Sequence, residues 1–174
     1  MSKNIVVKVC LLGDPAVGKT SLIRRFVLDQ FSDNYLTTIG AKVMKKVITI
    51  KKDGEEYSIT LMLWDLMGQK EYEFLQSTYY KGAQGAMLVC DLTRKETFDN
   101  IPRWIEGIHR VVKNVPFVLA ANKKDLDGWE ISEDDLKRFS KEKNIEYVLT
   151  SAKTGEGVEE AFLMLGKKII ENLS

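Results

Sequence analysis

The sequence predicts an α/β domain with a mostly parallel sheet, and two observations support this prediction. First, short apolar runs of strand length alternate with segments of helical periodicity, as in folds built from strand–helix–strand units. Second, Asp53-Gly54 lies between two alternating segments, which predicts a hairpin and therefore one antiparallel strand. A chain of 174 residues has the normal size of one domain, so we expect residues 1–174 to form a single unit.

The predicted elements follow one another in a regular order. Strands are predicted at Ile5–Leu12, Val43–Lys52, Glu55–Trp64, Gly85–Asp91, Val115–Ala121 and Glu146–Thr150. Helical spacing of apolar residues predicts helices at Gly18–Leu28, at about Arg94–Lys113, after the cap residue Ser132, and at Gly157–Leu173.

Five lysines cluster around the second predicted strand. They are Lys42, Lys45, Lys46, Lys51 and Lys52. We interpret them as the charge that protects an edge strand from pairing with other chains. A patch for a membrane or a partner protein is the alternative interpretation.

Composition excludes several classes of function. The formal net charge of +1 provides no strong field for nucleic acid or an acidic membrane. Cys10 and Cys90 lie in apolar runs and are expected to be core thiols, while a single histidine, His109, is a poor basis for a zinc site. We find neither a signal peptide nor a membrane-spanning segment. The final segment Glu171-Asn172-Leu173-Ser174 contains no cysteine that could be prenylated. We therefore expect a cytoplasmic protein without a stable membrane anchor of its own.

The segment Gly13–Thr20 matches the pattern G-x-x-x-x-G-K-[ST] and lies between a predicted strand and a predicted helix. Glycines let backbone N–H groups approach phosphate oxygens, and the helix N-terminus adds a positive dipole end. Lys19 can reach the β- and γ-phosphates, and the Thr20 hydroxyl can bind Mg²⁺. The alternative, a chance glycine turn, does not explain the strand and helix on either side.

A second motif, Asp65 followed by Gly68 and Gln69, begins at the end of a predicted strand. Asp65 can hold Mg²⁺ through water, Gly68 can offer its N–H to a γ-phosphate, and Gln69 can orient the attacking water. A solvated side chain is the alternative interpretation of Gln69. Thr38, in the loop before the second strand, could complete the Mg²⁺ shell, with Thr37 as its competitor.

Two further segments predict the base. The carboxylate of Asp125, in Asn122-Lys123-Lys124-Asp125, can accept both the N1–H and the exocyclic N2 amine of guanine, whereas adenine has no donors at those positions. The stem of Lys123 can lie on the base plane. In Ser151-Ala152-Lys153, the Ala152 N–H could meet guanine O6. Both segments follow strands, at the edge where open α/β sheets bind ligands.

With these motifs in order, the chain resembles the Ras superfamily of small GTPases, and within it the Rab branch. The segments Thr38-Ile39-Gly40, Tyr79-Tyr80-Lys81-Gly82-Ala83 and Leu88-Val89-Cys90-Asp91-Leu92-Thr93 carry the Rab-like similarity. The resemblance implies a P-loop GTPase fold with a six-stranded, mostly parallel sheet, one antiparallel edge strand and five helices. It also implies two switch segments, at about Asp29–Lys42 and Asp65–Lys81.

The resemblance implies GTP or GDP with Mg²⁺ as the bound cofactors, and a monomer that meets an exchange factor, a GTPase-activating protein and effectors, with membrane association only through partners. It implies that Phe31 stacks on guanine and that Tyr35 folds over the phosphates. Gln69 is the predicted catalytic residue, and the predicted metal ligands are Thr20, Thr38 and, through water, Asp65. The predicted nucleotide-binding residues are Pro15, Ala16, Val17, Gly18, Lys19, Thr20, Ser21, Phe31, Tyr35, Thr38, Gly68, Asn122, Lys123, Asp125, Leu126, Ser151, Ala152 and Lys153.

The chain departs from the family pattern at several positions. Pro15-Ala16 replaces Ser-Gly or Gly-Gly, and Met67 replaces a small residue. Lys70 stands where glutamate is usual, and Gly40-Ala41-Lys42-Val43 differs from the Rab-type Gly-Val-Asp-Phe.

These features leave two hypotheses for the function. The first is a hydrolysing switch that turns over slowly on its own, because no arginine occurs between Arg25 and Arg94. The second is a guanine-nucleotide-dependent binding module that scarcely hydrolyses, which Pro15 and Met67 favour. A P-loop ATPase conflicts with Asp125 and Ala152.

Overall fold

The computed structural model describes residues 2–29, 42–65 and 73–173. Its strands are β1 Ser2–Leu12, β2 Lys42–Lys52, β3 Glu55–Asp65, β4 Gly85–Asp91, β5 Phe117–Asn122 and β6 Glu146–Leu149. Its helices are α1 Lys19–Leu28, α2 Glu73–Tyr80, α3 Lys95–Asp99, α4 Ile101–His109, α5 Glu133–Lys143 and α6 Val158–Leu173.

The strands form one six-stranded sheet in the order β2-β3-β1-β4-β5-β6. Every neighbouring pair is parallel except β2 and β3, which are antiparallel. The turn between them uses Asp53 at φ 52° and Gly54 at φ 76°, positive values that match the twist of a two-residue hairpin. The predicted fold and the position of the lysine-rich strand at the sheet edge are therefore confirmed.

The core lies on both faces of the sheet because successive side chains of a strand point to opposite sides. In β1, Val9 and Leu11 pack in the cluster that includes α1 and α6. Cys10 and Leu12 pack in the opposite cluster with Cys90, residues of α4 and residues of α5. Both cysteines are buried free thiols, as predicted. Burial raises the pKa of Cys10 to about 12, so this thiol stays protonated and behaves as a core side chain.

The long helix predicted at Arg94–Lys113 is interrupted and shorter than expected. It breaks at Asn100 and ends at His109. Pro102 lies in the first turn of α4, where its missing N–H costs no hydrogen bond, so proline favours a new helix there. The helix Glu73–Tyr80 had no periodic signal of its own and was expected only from the resemblance. With α3 and α4 taken as one interrupted helix, the described residues contain the five helices predicted.

Parallel pairing brings the carboxyl ends of β1, β3, β4, β5 and β6 to one edge of the sheet. The described residues of the predicted motifs lie at these ends or directly after them, so these sequence-distant residues converge there. At its amino end, β1 starts earlier than predicted, because Ser2, Lys3 and Asn4 pair with β3. Within the described part of the chain, no helix is both long and apolar enough to cross a bilayer.

Candidate functional site

The loop between β1 and α1 is fixed in place by two glycines. A Cβ at Gly13 would collide with the backbone oxygen of Val89 on β4. Gly18 has φ 107°, a value that L side chains rarely adopt, and a Cβ there would collide with the side-chain amide of Asn122. The loop can therefore approach the ends of β4 and β5 this closely only with glycine at both positions.

Ala16, by contrast, holds a left-handed conformation with φ 65° despite its Cβ. A non-glycine residue in this region is strained by about 1–2 kcal/mol. Pro15 and Ala16 are both exposed. Their carbonyl oxygens accept hydrogen bonds from residues outside the loop. Arg94 Nη2 donates to the Pro15 oxygen at 2.8 Å, and Lys123 Nζ donates to the Ala16 oxygen at 2.9 Å. These contacts hold the loop shape at the two positions within the loop where the sequence departs from the family pattern.

Lys19 folds back onto the loop that precedes it. Its Nζ donates to the Gly13 oxygen at 2.7 Å and to the Asp14 oxygen at 3.1 Å. Only 8% of the residue is exposed. Burial lowers the pKa of the Lys19 ammonium to about 8, although Asp65 and Asp14 partly oppose this shift. The site therefore holds a cation that burial destabilises and that a phosphate group would stabilise.

The two predicted metal ligands in the described residues lie in contact. The Thr20 hydroxyl, in the first turn of α1, donates to Oδ2 of Asp65 at the end of β3. Asp65 is 4% exposed. A hydroxyl and a carboxylate are hard oxygen ligands of the kind that Mg²⁺ takes, so these residues fit the ion. Ser21 follows in the same helical turn and is half-buried.

Asn122 joins three segments of the site. Its Nδ2 donates to the Val17 oxygen in the phosphate loop at 2.9 Å, and its Oδ1 accepts from the Thr150 hydroxyl at 3.0 Å. The residue is 2% exposed, and Val17 is fully buried. Asn122 thus fixes the distance between the loop after β1 and the segments after β5 and β6.

Lys123 adopts φ 72°, and its ammonium lies 2.8 Å from Oδ2 of the buried Asp91 as well as on Ala16. Burial alone would raise the pKa of Asp91, but hydrogen bonds from Lys123 and Thr93 outweigh it and hold that pKa below its usual value. The anchored ammonium fixes the aliphatic stem of Lys123 beside the predicted base pocket. Leu126, also predicted to contact the base, is 43% exposed.

The carboxylate of Asp125 is oriented by a hydroxyl from the neighbouring segment. Ser151 Oγ donates to Asp125 Oδ1 at 2.7 Å. Ala152 is buried, and Arg25 of α1 binds this segment by donating to the oxygens of Ala152 at 2.8 Å and Lys153 at 2.6 Å. The two segments that the sequence predicts to read the base are therefore brought together, with α1 supporting one of them.

Some predicted site residues lie outside the described residues. They are Phe31, Tyr35, Thr38 and its competitor Thr37, Gly68 and the predicted catalytic Gln69, together with the departures Gly40, Ala41, Met67 and Lys70. Their roles stay predictions.

Sequence reasoning missed a second group of residues around the loop. Asp14 accepts from Trp104 Nε1 at 2.9 Å and from Asn100 Nδ2 at 2.7 Å. Arg94 donates to the Pro15 oxygen, and the Thr150 hydroxyl donates to the side-chain oxygen of Asn122. The loop motif leaves the position of Asp14 open, and its partners are 86 and 90 residues away in the chain. Their residue types carried no local signal that could have identified them.

Comparison with known proteins gives a consistent result. The model of the Ras family matches residues 8–171. The Ras-related protein RABA4b of Arabidopsis thaliana is 39% identical over 98% of this chain and 75% of its own length. The Ras-related protein Rab11C of Nicotiana tabacum is 39% identical over 92% of this chain and 71% of its own length. The GTP-binding protein YPTM2 of Zea mays is 36% identical over 96% of this chain and 81% of its own length.

Proposed function

The chain belongs to the Ras family of small GTPases, on its Rab branch, and we propose that residues 1–174 form one guanine-nucleotide-binding domain. In this proposal the domain alternates between GTP-bound and GDP-bound forms and hydrolyses GTP slowly on its own. One observation supports it most strongly: Asn122 and Lys123 of the base-reading segment bond directly to the phosphate loop. The segment proposed to read the base and the loop proposed to hold the phosphates are thereby in direct contact.

Guanine is selected through Asp125. Its carboxylate offers only acceptors, and Ser151 holds it in place. Guanine presents two donors to such a group, whereas adenine offers it no donor at those positions. A site built to pair donors rejects an analogue that lacks them strongly.

Phosphates are held by the loop amides between Gly13 and Gly18 and by the Lys19 ammonium. Lys19 now rests on loop carbonyl groups, and the approach of a phosphate oxygen offers it a better, charged partner. Thr20 and Asp65 would hold Mg²⁺, which supplies positive charge next to the β- and γ-phosphates when bound.

Hydrolysis is proposed to depend on Gln69, which orients the attacking water. Slow intrinsic turnover is expected because no arginine lies between Arg25 and Arg94. Arg94 itself is engaged, since Nη2 donates to Pro15 and Nε donates to Asp91 at 3.2 Å. A partner that supplies its own arginine is therefore expected to accelerate the reaction.

The output of such a cycle is a change in the two switch segments, which the γ-phosphate would hold through Thr38 and Gly68. The Rab-named relatives favour a role in membrane trafficking. We propose that an exchange factor, a GTPase-activating protein and effectors act on this chain as a monomer in the cytoplasm, with membrane association through those partners.

Single-turnover hydrolysis tests this proposal. Protein loaded with GTP and Mg²⁺ is expected to convert it to GDP at roughly 10⁻³ s⁻¹ or slower. Gln69→Leu is expected to slow the reaction further, whereas the control Gln84→Leu, whose side chain contacts the Lys8 backbone, is expected to leave it unchanged. GTP that persists indefinitely would favour the non-hydrolysing binding module. Fast unassisted hydrolysis would contradict slow turnover.

A further inference from the structure

We propose that Asn100 and Trp104 are positioning residues that hold the phosphate loop through Asp14 and thereby set how long a nucleotide stays bound. This inference rests on the proposed function, because it assigns residues that regulate the same site. None of the three side chains is among the predicted nucleotide contacts, and their arrangement is visible only in the folded chain.

Both oxygens of the Asp14 carboxylate are used. Trp104 Nε1 donates to Oδ1 at 2.9 Å, and Asn100 Nδ2 donates to Oδ2 at 2.7 Å. Hydrogen bonds to a charged acceptor are shorter and stronger than neutral ones. The carboxylate is thus held in one orientation by two donors from outside the loop.

The two donors are themselves well placed. Asn100 lies at the junction of α3 and α4, where its backbone N–H bonds to the oxygens of Glu96 and Phe98. Trp104 follows four residues later, on the same face of α4. Its side chain also packs against the buried core on this side of the sheet. The anchor therefore connects the loop to a part of the domain that is packed against the core.

The anchored residue also supports Lys19. The Asp14 carbonyl accepts from Lys19 Nζ at 3.1 Å, so the orientation of Asp14 affects where the ammonium rests. The next residue, Pro15, lacks an N–H, and Ala16 holds a strained φ of 65°. These loop residues cannot stabilise their own shape well, which makes the contacts from α4 more important.

The expected consequence is a change in nucleotide affinity. Without the anchor, the loop populates shapes whose amides no longer point at the phosphates, and the apparent dissociation constant rises in inverse proportion to the fraction of molecules whose loop stays competent. Loss of one hydrogen bond to the Asp14 carboxylate is expected to weaken GDP binding about tenfold. Most of this change is expected in the dissociation rate.

The test is a double-mutant cycle in which the rate of GDP dissociation from the full chain with Mg²⁺ is measured. The readout is the loss of bound fluorescent GDP when it is displaced by excess unlabelled GDP. Trp104→Phe keeps a ring but removes the N–H donor, and is expected to accelerate dissociation about tenfold. Asp14→Ala is expected to accelerate it at least as much. In the Asp14→Ala background, Trp104→Phe is expected to add less than about twofold, because its acceptor is already gone.

Ile108→Val is the matched control. Ile108 is fully buried on α4, and its trimming costs packing without touching the loop. This variant is expected to lower the melting temperature and leave GDP dissociation within about twofold. Asp14→Asn is expected to accelerate GDP dissociation less than Asp14→Ala does, since an amide oxygen still accepts from the indole.

Three results separate the possibilities. Dissociation unchanged in Trp104→Phe, or effects of Asp14→Ala and Trp104→Phe that multiply in full, would overturn the inference while GDP binding remained. Equal acceleration by Ile108→Val would show that helix packing alone causes the effect and would also overturn it. Failure of the unsubstituted protein to bind GDP would overturn the proposed function, and the inference with it.

Discussion

The state of Lys19 leads to a prediction about protons. The residue is 8% exposed, its ammonium donates to two carbonyl groups, and burial lowers the pKa of that ammonium from 10.5 to about 8. A phosphate beside it would stabilise the charged form and raise that pKa again. Nucleotide binding above neutral pH is therefore expected to take up a proton at Lys19.

The size of the effect follows from the two pKa values. The folded pKa of about 8 lies below the unfolded value of 10.5, which corresponds to about 3 kcal/mol for holding the buried charge at pH 7. This cost is fully present below pH 8 and disappears as the pH rises through 10.5, so the nucleotide-free protein gains stability across that window. At pH 8.5, roughly three quarters of the free sites lack the proton, and binding is expected to take up about 0.75 proton.

Isothermal titration calorimetry of GDP binding in buffers of different ionisation enthalpy measures this uptake. The uptake is expected to be near zero for the Lys19 group at pH 7 and close to 0.75 at pH 8.5. Lys19→Gln is expected to abolish the difference between the two pH values and to weaken binding. Lys113→Gln, which removes a surface lysine far from the loop, is the control and is expected to retain it. The reasoning would be refuted if the unsubstituted protein took up no proton at pH 8.5. It would also be refuted if Lys19→Gln took up as much as the unsubstituted protein.

Three further predictions concern the glycine, the base reader and the buried amide. Gly18→Ala places a Cβ against Asn122 and is expected to weaken GDP binding at least about 100-fold in a fluorescence titration; a change below threefold would contradict the tight fit. Asp125→Asn replaces an acceptor by a donor and is expected to favour xanthosine diphosphate over GDP in a competition assay, because xanthine carries an acceptor at C2; an unchanged preference would exclude Asp125 as base reader. Asn122→Ala leaves the Val17 oxygen and the Thr150 hydroxyl without this partner. The variant is expected to lower the free energy of unfolding, measured by urea titration, by about 2–4 kcal/mol. A loss below about 0.5 kcal/mol would argue against the linking role of Asn122.

Much of the fold could be predicted from local patterns. Alternation and apolar runs depend on the period of strands and helices, and Asp53-Gly54 encodes its own turn. The loop motif was also predictable, because its glycines meet requirements that no other residue satisfies. Gly13 and Gly18 both lie where a Cβ would collide with neighbouring strands.

The interruption between α3 and α4 was harder to predict. Apolar residues keep their helical spacing through Asn100, so the period alone indicates one helix. Pro102 was the available signal, because proline fits the first turn of a helix much better than its interior. The periodicity of the flanking residues concealed that signal.

The anchors around the phosphate loop could not be predicted. Asp14 fills an unrestricted position of the motif, and Trp104 reaches it only because β4 and the helices after it pack beside β1. Such contacts depend on tertiary structure and leave no periodic trace. They also explain how a loop with Pro15 and Ala16 keeps its shape, since Arg94 and Lys123 bind the carbonyl groups of those residues.

The affinity of the purified chain for GDP compared with ADP, both with Mg²⁺, is the most direct test of guanine-nucleotide binding at this sheet edge. Asp125, held by Ser151, is expected to make GDP binding at least roughly 10³-fold tighter than ADP binding. Equal affinity for the two nucleotides, or a preference for ADP, would contradict the assignment of this edge as a guanine site.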